Sequence, residues 1–250
     1  MGSLCRACAR PRRRPLITAN SSGAHRPWRV VERRATAAVL HGAVPDPLGE
    51  RLACICFPLD QAVVIGSGQA ASDFDRDRLS SAGIDLVRRR SGGGAVLVAP
   101  GLQVWLDVFV PSGDLLWGPD IRTSFYWLGE VYAAALASVV VKAAPSVIEV
   151  NRGPSRRTAW SKVLCYAGLG AGEVTVAGRK VVGMSQRRDH AGAWIHSMAL
   201  LSDRPGSLAD ALSGTAEHRS AGRAALADTG LDDAERLVGP LTSEVLGRLP

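Results

Sequence analysis

The 250 residues are 46% hydrophobic and 21% charged, ordinary globular statistics with room for one sizeable core and a small appendage. The formal charge of +7 would suit a polyanionic partner, but residues 1–34 carry nine arginines against Glu32 alone. The rest of the chain therefore sums to −1, which argues against nucleic-acid binding. The longest apolar stretch, Val131 to Val150, is interrupted by Lys142 and Pro145, so no membrane span is expected.

Residues 1–27 are rich in Arg, Pro and Ser and lack hydrophobic periodicity, which predicts a disordered basic tail. No apolar run follows the early positive charges, and Arg6 breaks the myristoylation pattern after Gly2, so neither a secretory signal nor a lipid anchor is expected. Cys5, Cys8, Cys54, Cys56 and Cys165 form no regular framework, which fits a reducing, cytoplasmic compartment. Cys5 and Cys8 lack a second ligand pair for zinc, and no metal-ligand set is expected from the protein.

Strands are expected at Trp28 to Arg34, Leu52 to Cys56 and Ala62 to Ile65, the last ending at the turn Gly66-Ser67-Gly68. A short helix from Asp73 to Ala82 is closed by Gly83, and a strand from Ile84 to Arg88 runs into Ser91-Gly92-Gly93-Gly94. Strands at Ala95 to Val98 and Val104 to Val110, separated by Pro100-Gly101, suggest a hairpin. Helical spacing of Ile121, Phe125, Leu128, Tyr132, Leu136 and Val140 predicts a long helix from Asp120 to Ala144, capped by Asp120.

Further strands follow at Val147 to Val150, Glu173 to Val176, Lys180 to Met184 and Ala193 to Leu201, and residues 206–249 return to helical periodicity. Without a regular βα alternation, the pattern predicts an α+β protein with a mixed, mainly antiparallel sheet packed with helices. The expected organisation is a tail (1–27), a main domain (28–205) and a short helical appendage (206–250).

Two segments carry chemistry. Arg88-Arg89-Arg90-Ser91-Gly92-Gly93-Gly94-Ala95-Val96 places guanidinium groups beside a glycine turn, which suits an anion cradle or, equally, a flexible turn after an exposed strand. It is not a Walker A loop, since no Gly-Lys-Ser/Thr closes it onto a helix. Gly178-Arg179-Lys180-Val181-Val182-Gly183-Met184-Ser185-Gln186-Arg187 starts a strand with a lysine that could stabilise charge on an acyl carbonyl or phosphoryl group, or simply be solvated.

Together these segments resemble the paired signature of lipoate-protein ligase A and the octanoyltransferases, a superfamily shared more distantly with biotin-protein ligases. Ile65-Gly66-Ser67-Gly68-Gln69 is similar to the family's Gly-x-x-Gln turn. The resemblance implies a biotin/lipoate-ligase-like catalytic domain in which Lys180 contacts the acyl carbonyl and adenylate. It also implies that Arg88, Arg89, Ser91, Gly92, Gly93, Gly94 and Ala95, with Gly183, Ser185 and Gln69, surround the acyl-adenylate. ATP with Mg2+ would activate lipoate or octanoate, and the acceptor would be a lysine of a lipoyl-carrier domain, such as a 2-oxoacid dehydrogenase subunit or a glycine-cleavage carrier.

Cys165 opens a second route. Its place 15 residues before Lys180 resembles the loop cysteine of one octanoyltransferase branch, which takes an acyl group from acyl carrier protein as a thioester without ATP. A small buried hydrophobe is the alternative reading of that residue. Where the family has a His-Asp pair after the glycine loop, this chain has Leu97-Val98-Ala99-Pro100, which weakens ATP chemistry and leaves room for a non-catalytic lipoate or fatty-acid binder. His41 and His196 could contact the site or fill the core, and Cys54 and Cys56 alternate with apolar neighbours as core residues do.

Overall fold

A computed structural model describes residues 27–42, 46–140, 147–201, 205–227, 229–231 and 234–250. The expected tail up to residue 26, with Cys5 and Cys8, and the expected helix beyond residue 140 lie outside the described residues.

A seven-stranded sheet is built from β1 (Arg29–Ala35), β2 (Leu52–Pro58), β6 (Gln103–Pro111), β7 (Ile148–Val150), β8 (Val174–Val176), β9 (Arg179–Arg188) and β10 (Gly192–Leu200), in the order β1-β2-β6-β10-β9-β8-β7. Only β1 and β2 run parallel; every other neighbouring pair is antiparallel. A second sheet holds β3 (Ala62–Ile65) between β4 (Asp85–Arg88) and β5 (Val96–Val98), parallel to the first and antiparallel to the second. The fold is α+β with a mixed, mainly antiparallel sheet, and the helices among the described residues are α1 (Ala37–Gly42), α2 (Arg76–Ser81), α3 (Tyr126–Val139), α4 (Pro205–Asp210), α5 (Ala216–Leu226) and α6 (Ala234–Gly247). None of them is long and apolar enough to cross a membrane among the described residues.

The large sheet is buried on both faces, which is why all nine residues of β6 are buried instead of alternating with polar ones. One face, carrying Leu106, Val108, Ile195 and Ala199, packs on Leu128, Tyr132, Ala135 and Leu136 of α3 and Leu241 and Val245 of α6. The other, carrying Cys54, Cys56, Trp105, Met198 and Leu200, packs on Val63, Val64 and Val96 of the small sheet. Alternation along β6 places Trp105 and Asp107 toward the small sheet, and this side holds the site.

The structure corrects two expectations. β5 and β6 are not a hairpin: β5 pairs with β3, while β6 pairs with β2 and β10, and Pro100-Gly101 carries the chain from one sheet to the other. Composition marked the turn but held no information about strand partners. The long helix begins at Tyr126, not Asp120; residues 121–125 form turns, and Asp120 Oδ1 accepts from the N–H of Arg122 at 2.8 Å. An aspartate offers its backbone such a local bond as readily as a helix cap. Helix α1 had no counterpart in the sequence reading; its first N–H donates to Asp60 Oδ1 at 2.7 Å.

Candidate active site

The glycine loop between β4 and β5 is held from within. The Arg88 guanidinium donates to the carbonyls of Gly66, Ser67 and Gln69 at 2.9, 3.0 and 2.8 Å, and so ties the 66–69 turn to its strand. Arg89 is buried and donates to the carbonyls of Val64, Gly92 and Gly94 at 3.1, 2.7 and 2.9 Å. Burial lowers its pKa from the usual arginine value, with Cys165 acting in the opposite sense. Gln69 braces the same turn, donating to Asp73 Oδ2 at 3.1 Å and to the Val163 carbonyl at 3.0 Å.

Backbone contact fixes where glycine is required. A Cβ on Gly66 would meet the Gly93 carbonyl oxygen at 2.0 Å, and one on Gly94 would meet the backbone of Leu164 and Cys165 at 2.9 Å. Next to it, Ala95 donates to the Val163 carbonyl at 2.8 Å and accepts from the Cys165 N–H at 2.9 Å. Gly94→Ala is thus expected to push the loop away from Cys165, lowering stability by about 1–3 kcal/mol in urea unfolding; an unchanged midpoint would contradict this contact.

Lys180, at the start of β9, is 6% exposed, and its ammonium meets three acceptors: Glu173 Oε2 at 2.6 Å and the carbonyls of Cys165 and Gly168 at 3.0 and 2.9 Å. An ammonium has three N–H donors, so this set uses them all. The Tyr166 ring lies 5.0 Å from Nζ. Burial works against the charge, but Glu173 and Cys165 outweigh it and leave the Lys180 pKa raised. Glu173 also accepts from the N–H groups of Gly170 and Met184. The pair thereby clamps the 165–170 segment against β9.

Above this clamp lies a pocket whose lining includes Arg89, Cys165, Gly183, Ser185, His41 and His196. The remaining lining, Val96, Trp105, Met184 and Met198 among it, is mainly apolar. Strand register sets a polar row across the sheet in the order Cys54, Asp107, His196, Ser185. At its end, Ser185 Oγ hydrogen-bonds Ser91 Oγ of the glycine loop at 2.8 Å.

Of the residues singled out in the sequence, Arg89, Cys165, Gly183 and Ser185 share the pocket wall; Ser91, Gly94 and Ala95 support it from behind, and Lys180 lies beneath. Arg88, Gln69, Gly92 and Gly93 shape the neighbouring turns and are not in the lining. Sequence reasoning missed Glu173, Tyr166, Trp105 and Asp107. A carboxylate opening a strand seven residues before a lysine was the available signal for Glu173, because a buried lysine needs a counter-charge.

Comparison with curated proteins returns no match. Solved structures show the same fold. A bipartite archaeal lipoate protein ligase from Thermoplasma acidophilum, described with its E2 lipoyl domain, has a TM-score of 0.64 at 17% identity, over 90% of this chain and 82% of that one. A T. acidophilum structure with bound lipoic acid gives 0.52 at 17% identity, over 90% and 96% of the two chains. A lipoate-protein ligase A bound with ATP gives 0.52 at 14% identity, over 90% and 100%. The family model "Lipoyl protein ligase A/B catalytic domain" matches residues 49–242, and the chain belongs to that family.

Proposed function

We propose that the protein transfers a medium-length acyl group, octanoyl or lipoyl, to a lysine of a lipoyl-carrier domain, and that Cys165 carries the acyl group on the way. The observation that carries this reading is the position of Cys165: on the wall of a mainly apolar pocket, in a segment fixed by Ala95 on one side and Lys180 on the other.

In the first step the Cys165 thiolate adds to the thioester carbonyl of an acyl carrier. The carrier C–S bond breaks, and the departing thiolate takes up the proton that Cys165 released. The acceptor lysine, as neutral amine, then adds to the new thioester carbonyl. Its C–N bond forms, the bond to Cys165 sulfur breaks, and the amine proton passes to the Cys165 thiolate. Lys180 and Glu173 act as positioning residues that hold the segment, while the ammonium charge beneath favours negative charge developing on the acyl oxygen.

A polyphosphate fits this site less well. Arg88 Nη1, both Nη atoms of Arg89 and the Lys180 ammonium already donate to backbone carbonyls or to Glu173, and a polyphosphate would have to compete for them; of these groups, Arg89 has its Nε buried without a partner among the described residues. The glycine loop beside the pocket, together with the membership in the ligase family, supports the second reading, acyl-AMP formation from ATP and Mg2+.

Intact-mass analysis of a lipoyl-carrier domain separates the two. A mass gain from octanoyl-acyl carrier protein alone supports the thioester route. A gain only with free acid, ATP and Mg2+ overturns it in favour of the ligase, and no gain under either condition leaves a non-catalytic binder.

A further inference from the structure

The apolar lining accounts for the methylene groups of a bound chain, but not for the two histidines. His41, on α1, is 6% exposed and lines the pocket, and its Nε2 is buried with no hydrogen-bond partner among the described residues. Its ring lies on Trp105 with centroids 4.5 Å apart, and it meets the His196 ring edge-on at 5.9 Å. His196 in turn has Nδ1 2.9 Å from Asp107 Oδ2, close but outside hydrogen-bond alignment. The other Asp107 oxygen accepts from Trp105 Nε1 at 2.6 Å. The two imidazoles are thus held in place by packing and by a fixed carboxylate.

Burial lowers the His41 pKa to about 4, with Asp107 opposing and His196 and Arg89 reinforcing the shift. The ring is neutral at physiological pH and offers one N–H and one lone pair. The polar row runs from Ser185, beside the glycine loop, through His196 to Asp107, two strand spacings or ~10 Å away. The Asp107–His196 end of this row, with His41 packed beside it, lies in the same pocket as Cys165, so a chain joined at Cys165 can reach it.

We infer that this end of the pocket recognises a polar acyl tail, with His41 and His196 hydrogen-bonding an oxygen or nitrogen near the end of the chain, as in an ω-hydroxy or ω-oxo acid. The inference rests on the reading of the pocket as the acyl site. His41 Nε2 is already out of water and unpaired; a saturated hydrocarbon tail would leave it so, whereas a terminal hydroxyl would supply the missing hydrogen bond.

Calorimetric titration of the full chain with octanoate, 8-hydroxyoctanoate and lipoate tests this. The 8-hydroxy acid is expected to bind about tenfold tighter than octanoate, and the preference should vanish in His41→Phe, which keeps a ring on Trp105 but no ring nitrogen. Octanoate or lipoate binding as tightly as the hydroxy acid would overturn the polar-tail inference and leave the acyl-site reading standing. Failure of all three acids to bind would overturn both. Because the wild-type ranking alone decides the matter, the result does not depend on the variant folding.

Discussion

Replacing Cys165 by serine should lower acyl transfer from octanoyl-acyl carrier protein by on the order of 10³-fold or more. A hydroxyl is far less nucleophilic than a thiolate. The substitution leaves the surroundings in place, because the bonds that fix this residue come from its backbone: its N–H donates to Ala95, and its carbonyl accepts from Lys180. The wild-type protein incubated with the donor alone should gain the acyl mass and lose it to hydroxylamine; the serine variant should do neither. A variant whose rate stays within tenfold of wild type would rule out the thiol as acyl carrier, whatever the fate of the pocket.

Glu173→Gln is expected to be the most destabilising change in the site, at about 3–5 kcal/mol by urea unfolding, because it leaves a buried ammonium without its counter-charge. Since the Lys180 pKa is raised in the folded protein, the stabilisation is fully present below the ordinary lysine value of 10.5 and is lost as pH rises through the folded value. The difference between wild type and variant should therefore be flat across neutral pH and shrink only in strong alkali. Adding Lys180→Met removes the stranded charge and should recover a good part of the loss. A single variant weakened by less than about 1 kcal/mol would show that the clamp contributes little.

The sequence disclosed the glycine loop and the Lys180 strand because their chemistry is local: glycines where backbones touch, a lysine after a turn. Strand positions were legible for the same reason, since apolar runs between turn residues need no knowledge of partners. What it withheld depends on pairing. Neither the split of β5 and β6 between two sheets nor the row of Asp107, His196 and Ser185 can be read from periodicity, because both follow from which strands lie side by side. Arg88 and Arg89 illustrate the same limit. Three adjacent arginines suggested an anion, and only the fold reveals how many of their donors are taken up by carbonyls of the loop.

The contacts that brace the pocket and its neighbouring turn join distant parts of the chain: Ser91 with Ser185 and Gln69 with Val163 are each 94 residues apart. Such separations add little to the equilibrium cost, since loop entropy grows only logarithmically, but they slow the search for the native state. Contacts of this separation are expected to form after local ones such as those of the β9–β10 hairpin and the α3 helix. An occupant that bridges the two sides would hold together the part of the molecule assembled last, and would act most strongly on the rate at which the protein comes apart.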